Sequence, residues 1–215
     1  MTTNFSPDAP VDEQHWGQPA SHDRVIVTLD ALLDAGFVAE LVPSVDAGRR
    51  RALELLPDGC SVFTSASETL RLSGLDEAIN QSGRYDAIRP RVWGMDRATE
   101  MAEIRRLSAT PDVVIGSVSA VTETGALVAV SASGSQLPAY AGGAGRVIWI
   151  VGSQKIVPDL AAALDRIERY ALPLENARCE VAYGHPSSIN KVLIVNREPF
   201  QGRTTVLLVD EAIGF

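Results

Sequence analysis

Five short, largely apolar runs recur through the second half of the chain: Asp112 to Ile115, Ala126 to Val130, Arg146 to Val151, Val192 to Val195 and Thr205 to Val209. Each is too short for an ordinary helix, and the length fits strands. Asp112 to Ile115 lacks polar alternation, as expected of a strand covered on both faces. Phe37 to Val42 and Ser61 to Thr64 add two earlier strand candidates. Between the runs lie segments with helical spacing. Val25, Leu29, Leu32 and Leu33 recur on one face and stop at Gly36. Ser44 opens a second helix through Ala52, Leu55 and Leu56, closed by the turn Pro57-Asp58-Gly59. A short helix begins at Ser67, and Arg97 to Leu107 carries Met101, Ile104 and Leu107 on one side. Pro158 suits the first turn of a helix whose apolar face reads Leu160, Ala163, Leu164 and Ile167. Helices alternating with covered strands predict an α/β domain built on a largely parallel sheet.

At 215 residues, one large domain is expected. A chain of that size buries roughly 70% of its unfolded surface without disulfides or metals. Residues 1–22 show no apolar periodicity and read as a poorly ordered tail, with Trp16 the one residue suited to packing on the body. The single α/β domain is then expected over 23–215. The 19 Lys and Arg against 27 Asp and Glu give a net charge of −8, which argues against nucleic-acid binding. Cys60 and Cys179 cannot build a disulfide framework, and His15, His22 and His185 lack metal-ligand spacing. No run of about 18 apolar residues and no signal pattern occurs, so a cytoplasmic protein without membrane contact is expected.

Three strand candidates end in small and polar residues. Thr64 is followed by Ser65-Ala66-Ser67-Glu68-Thr69, Ile115 by Gly116-Ser117-Val118-Ser119-Ala120, and Val151 by Gly152-Ser153-Gln154-Lys155. Ligands of open α/β sheets bind beyond the carboxyl ends of strands, and helix starts favour anions. Ser65, Ser67, Thr69, Gly116, Ser117, Gly152 and Lys155 are therefore expected to converge on a pocket for a small anion. Each stretch taken alone also fits an ordinary loop or N-cap. Lys155 reads either as a charge for a carboxylate or phosphate, or as a loop lysine. Ala141-Gly142-Gly143-Ala144-Gly145 precedes a strand instead of opening a helix, which removes a P-loop or Rossmann reading. His185 falls in an expected loop, Cys60 reads as a small core residue, and Trp93 and Trp149 read as core or interface. Arg49, Arg50 and Arg51 read as a solvated helix face.

Val147-Ile148-Trp149-Ile150-Val151-Gly152, Lys155-Ile156-Val157-Pro158-Asp159-Leu160, Ala163, Arg166-Ile167 and Tyr170-Ala171-Leu172-Pro173 resemble the LUD domain, the lactate-utilisation family. Gly116 to Gly125 is similar to that family's Gly-Ser-x-x-Ala-x-Thr-x-x-Gly element, and Thr205 to Gly214 to its closing strand. The resemblance covers residues 24–215. It implies a sugar-isomerase/CoA-transferase-like fold and an accessory role beside iron–sulfur subunits in the oxidation of lactate to pyruvate. One branch of the family carries a cysteine-rich stretch where this chain reads Cys179 to Ser188 with one thiol, so no iron–sulfur cluster is expected in this chain alone. Thr122-Glu123-Thr124-Gly125 also resembles the element that carries the nucleophilic glutamate of CoA transferases, which makes Glu123 a candidate catalytic residue. A turn between strands explains the same residues. Three functions stay open: an accessory protein that binds a small anion or a partner subunit, an acyl-CoA transferase using Glu123, and a structural subunit. A homodimer fits the base rate for oligomers.

Overall fold

The computed structural model describes residues 11–215. Its strands are β1 (Val38–Val42), β2 (Ser61–Thr64), β3 (Asp86–Ala87), β4 (Val113–Gly116), β5 (Ala120–Thr122), β6 (Leu127–Ser131), β7 (Arg146–Gly152), β8 (Ile156–Val157), β9 (Lys191–Val195) and β10 (Thr204–Val209). The helices are α1 (Glu13–Trp16), α2 (His22–Asp34), α3 (Val45–Glu54), α4 (Glu68–Leu72), α5 (Leu75–Asn80), α6 (Ile88–Trp93), α7 (Met101–Ala109), α8 (Leu160–Arg166) and α9 (Leu172–Tyr183). Two widened helical turns, Ala139–Gly143 and Ile167–Ala171, and a tight 3-10 turn, Ser153–Lys155, complete the set.

Six strands form one sheet in the order β1-β10-β7-β4-β2-β3, every pair parallel. This is the expected α/β architecture. Successive strand residues face opposite sides. Val147, Trp149 and Val151 of β7 therefore enter one core with α2, α6 and α7, while Ile148 and Ile150 enter another with α3, α4 and α5. Gly36 ends α2 as expected. Its φ of +89° suits glycine, and a Cβ there would sit 2.4 Å from the Glu198 carbonyl oxygen.

The remaining strands depart from the parallel reading. They form a second sheet, β8-β5-β6-β9, in which β6 runs antiparallel to both β5 and β9. One face of it closes the core under Trp149, and the other carries Ala120, Val128 and Val157 against Ala163, Ile167 and Tyr170. β9 is an edge strand with Val192 and Ile194 exposed, so its apolar run is not covered on both faces.

Of the expected tail, residues 1–10 lie outside the described residues. From residue 11 on, α1 places Trp16 in the core of the second sheet, with Ile167 and Tyr170. The apolar face expected for the Pro158 helix is also corrected. Ala163, Arg166, Ile167 and Tyr170 form its buried stripe, whereas Leu160 and Leu164 are exposed. The spacing is helical either way, and an arginine was not counted as a core residue. No helix among the described residues is long and apolar enough to cross a membrane.

Candidate functional site

β7, β4 and β2 are neighbours, so the three polar strand ends leave the same edge side by side. A cavity of about 470 Å3 opens there. Its floor is Ser65, Ser67, Ser117 and Lys155, and one wall is α9 with Glu175, Arg178 and Cys179. The loop after β6, from Ser131 to Gln136, and His185 with Pro186 form the rim. Both widened turns contribute lining, through Tyr140 and through Ile167 and Ala171. Such turns are frequent at functional sites because they re-aim side chains.

Lys155 is the centre of the floor. It is 1% exposed, and its Nζ donates to Thr69 Oγ1 at 3.0 Å, Ser117 Oγ at 3.0 Å and Val118 O at 3.1 Å. None of these partners is a carboxylate. Burial pushes its pKa well below the ordinary lysine range, and the nearby Arg166 guanidinium adds to the shift. Arg166 is fully buried. It donates to Ser119 O at 2.6 Å and Gln154 O at 3.3 Å, lies over the Tyr170 ring, and leaves Nη2 without a partner among the described residues. Burial lowers its pKa to about 10, so it remains a cation at neutral pH.

The other charges of the lining are paired. Arg178 donates to both Glu175 oxygens at 2.7 Å, and Glu68 is bonded to Arg71. The cavity floor therefore ends on the Lys155 amine, which no carboxylate among the described residues contacts, with Arg166 behind it. Cys179 packs beside the Arg178–Glu175 pair, with its thiol pushed up by burial.

Not every expected residue reaches the cavity. Thr69 stands behind Lys155, and Gly116 lies beneath the floor. A Cβ on Gly116 would fall 1.9 Å from Tyr140 Oη and 2.2 Å from Ser65 Oγ, so only glycine lets these hydroxyls gather. Gly152 does not line the cavity. It packs under the C-terminal segment, 2.8 Å from Ile213 N for an added Cβ, and beside Gln154. Glu123 is not brought to the site either. It occupies the turn between β5 and β6, where its carboxylate takes a 2.5 Å bond from Arg24 Nε, and Arg24 is anchored on Ile156 O.

The Lys155 amine already meets three oxygens, so a ligand that bonds to it takes the place of one of them. Tyr140 and Arg166 were missed. Tyr140 is 2% exposed, its ring packs edge-on against Trp149, and its hydroxyl has no partner of good geometry among the described residues. Burial pushes its pKa up to about 12. Its only sequence signal is a tyrosine in the glycine-rich Ala139–Gly143 stretch. His185 lines the rim and stacks on Tyr183.

Comparison with known proteins agrees with this architecture. No curated protein matches the chain. Among solved structures, it is similar to a DUF162 family protein from Deinococcus radiodurans, with 13% identity, 89% of this chain and 99% of that one covered, and a TM-score of 0.51. At that identity the likeness shows the fold. The delta subunit of eIF2B from Chaetomium thermophilum aligns with 16% identity over 63% of this chain and 53% of its own, at a TM-score of 0.34 too low to bear on fold or function. The model of the LUD domain matches residues 27–209, and the chain belongs to the LUD-domain family.

Proposed function

We propose that this LUD-domain chain is an accessory protein of a lactate-to-pyruvate oxidation system that holds a small-molecule anion at the carboxyl edge of its sheet. The observation that carries this reading is the buried basic pair Lys155, in the cavity floor, and Arg166 behind it, whose hydrogen-bond partners among the described residues are hydroxyls and carbonyls only. A buried charge without a counter-charge is costly, and a ligand carboxylate or phosphate supplies the missing one. Ser65, Ser67 and Ser117 offer hydroxyls for its oxygens, and the field of the two cations favours its charge. The volume sets a size. A cavity of about 470 Å3 lies within the 300–1,000 Å3 usual for sites of whole metabolites and cofactors, so a three-carbon acid fills a fraction of it. Electron transfer falls to iron–sulfur partner subunits, since this chain offers two thiols, one before β2 at the amino edge and one in the cavity wall at the other.

Transfer of acyl-CoA through Glu123 has no such support, because that carboxylate is spent on Arg24 away from the cavity. Titration calorimetry with lactate, pyruvate, inorganic phosphate and CoA esters tests the reading. An anion seated near Lys155 raises the pKa that burial has lowered, so binding takes up protons at any pH between the free and bound values, seen as a heat that depends on the buffer. Lys155→Met is expected to weaken binding by about 1.5–3 kcal/mol and to abolish the proton uptake. A wild-type protein that binds none of these anions sinks the proposal.

A further inference from the structure

The contacts of Lys155 also fit a neutral amine. As an ammonium its three protons match three oxygens. As a neutral amine it has two protons for the same three. Val118 O can only accept, so the lone pair must face either the Ser117 or the Thr69 hydroxyl. The Ser117 proton has three acceptors in reach, Ile150 O at 2.6 Å, the amine at 3.0 Å and Val118 O at 3.3 Å. Thr69 Oγ1 is held from its other side by Ile213 O at 3.3 Å. Of these groups, Ser117 is the hydroxyl that is half-exposed and lines the cavity.

We propose that Ser117 and Lys155 form a serine–lysine dyad, with Thr69 orienting the amine, that opens an ester or thioester held in the cavity. The arrangement meets the requirements of an activated nucleophile: hydroxyl and base within hydrogen-bond reach, and the base oriented by a third group. Ser117 Oγ bonds to the acyl carbon while its proton passes to Lys155 Nζ. The tetrahedral intermediate collapses, the bond to the leaving alcohol or thiol breaks, and that group departs with the proton from Nζ. Water then attacks the acyl-serine, giving its proton to the same amine, and Ser117 leaves with that proton as the free acid forms. Val118 N–H makes no hydrogen bond among the described residues and is a free donor beside the nucleophile for the developing oxyanion.

The surroundings favour the neutral amine. Burial and the charge of Arg166, from α8, both hold its pKa down. The charges that face the cavity from α4 and α9 are neutralised in the Glu68–Arg71 and Glu175–Arg178 pairs. This inference goes beyond the anion-binding reading and competes with it for the state of one group. An anion resting beside Lys155 keeps it protonated and silences the base.

The test is labelling of the full chain with an alkyl fluorophosphonate, which bonds to an activated serine oxygen and releases fluoride, followed by peptide mapping. The expected result is one adduct, on Ser117, absent in Ser117→Ala and formed about 100-fold or more slowly in Lys155→Met. The labelling rate should rise with pH and level off well below the ordinary lysine range. Thr69→Val should slow labelling less and move the pH profile. If a variant fails to fold, the position of the adduct on the wild-type chain still decides. No adduct, an adduct elsewhere, or a rate that climbs only where ordinary lysines titrate overturns the dyad. Adding phosphate or pyruvate separates the two readings. Labelling on Ser117 that these anions leave untouched supports the dyad against the anion site, and anion binding without any labelling does the reverse.

Discussion

The two edges of the six-stranded sheet treat buried cations in opposite ways. At the amino edge, Arg203 donates to Glu198 Oε2 at 3.0 Å and to the carbonyls of Ala139, Tyr140 and Ala144. Glu198, its side chain 4% exposed, also accepts from Thr204 Oγ1 at 2.6 Å and Phe200 N at 3.1 Å. Both charges of this pair are matched and hydrogen-bonded. At the carboxyl edge, Lys155 and Arg166 are buried more deeply and have no carboxylate partner, while Tyr140 Oη and Arg166 Nη2 are unpartnered among the described residues. Folding alone favours the first arrangement. Retaining the second is expected where a ligand or a reaction uses the unmatched groups. The edges are also connected. Arg203 fixes the backbone of Ala139 and Tyr140, whose ring runs along the sheet to Gly116 at the cavity floor.

The largest effect is expected at the closed edge. Glu198→Ala leaves the part-buried Arg203 with carbonyls alone and should cost about 3 kcal/mol at pH 7 in urea unfolding. Burial alone pushes the Glu198 carboxyl up, but the bonds from Thr204, Phe200 N–H and Arg203 outweigh it and hold the pKa below the usual range. A carboxylate depressed in the folded state stabilises fully above its unfolded pKa, near 4.3, and loses that contribution as pH falls through the lower folded value. The gap between wild type and variant should therefore narrow below about pH 4. A gap that stays constant to acid pH breaks the ion-pair account of this edge.

A middle-sized effect is expected where the two regions meet. Gly116→Ala forces a Cβ against the Tyr140 and Ser65 hydroxyls and should cost about 1–3 kcal/mol by overpacking. Tyr140→Phe removes one of those oxygens. Because the hydroxyl has no good partner, that change alone should be close to neutral, and it should recover part of the Gly116→Ala loss. Additive losses in the double variant show that the two residues do not meet. A large loss from Tyr140→Phe alone shows that its hydroxyl is bonded in the folded protein, and the contrast between the edges then shrinks.

The central strands and their polar carboxyl ends were legible in the sequence for a simple reason. Runs such as Val113 to Gly116 and Thr204 to Val209 are buried throughout, and burial on both faces writes itself as an unbroken apolar stretch. Once β2, β4 and β7 lie side by side, Ser65, Ser67, Ser117 and Lys155 must leave one edge. The second sheet was not legible. β5 has three residues and β8 two, too few for any period, and only pairing in three dimensions fixes them. Arg166 escaped because periodicity counts it as polar, although its guanidinium finds carbonyls and a ring inside the core. Glu123 misled for the opposite reason. A short acidic-glycine pattern marks a turn as readily as a nucleophile, and here the turn sits on the second sheet.

The smallest expected effect on stability is at the open edge, and its pH dependence says most about it. In Lys155→Met the aliphatic stem is replaced at similar volume and the buried amine disappears. Val118 O loses its closer donor and keeps the Ser117 hydroxyl at 3.3 Å, while the Ser117 and Thr69 hydroxyls keep the carbonyls of Ile150 and Ile213. The lost hydrogen bonds and the relieved burial of charge oppose each other, so the net change at pH 7 should stay within about 1 kcal/mol. The amine's pKa is lower in the folded chain than in the unfolded one, near 10.4, so between those two values the unfolded state binds more protons. Wild-type stability must then rise with pH through that window, and the methionine variant must lack the rise. Urea unfolding of both proteins at about pH 7 and pH 9.5 reads the difference directly. Parallel lines mean that Lys155 is protonated throughout and held like Arg203. A loss of several kcal/mol at pH 7 makes it a structural clamp, and the two edges would then no longer differ in kind.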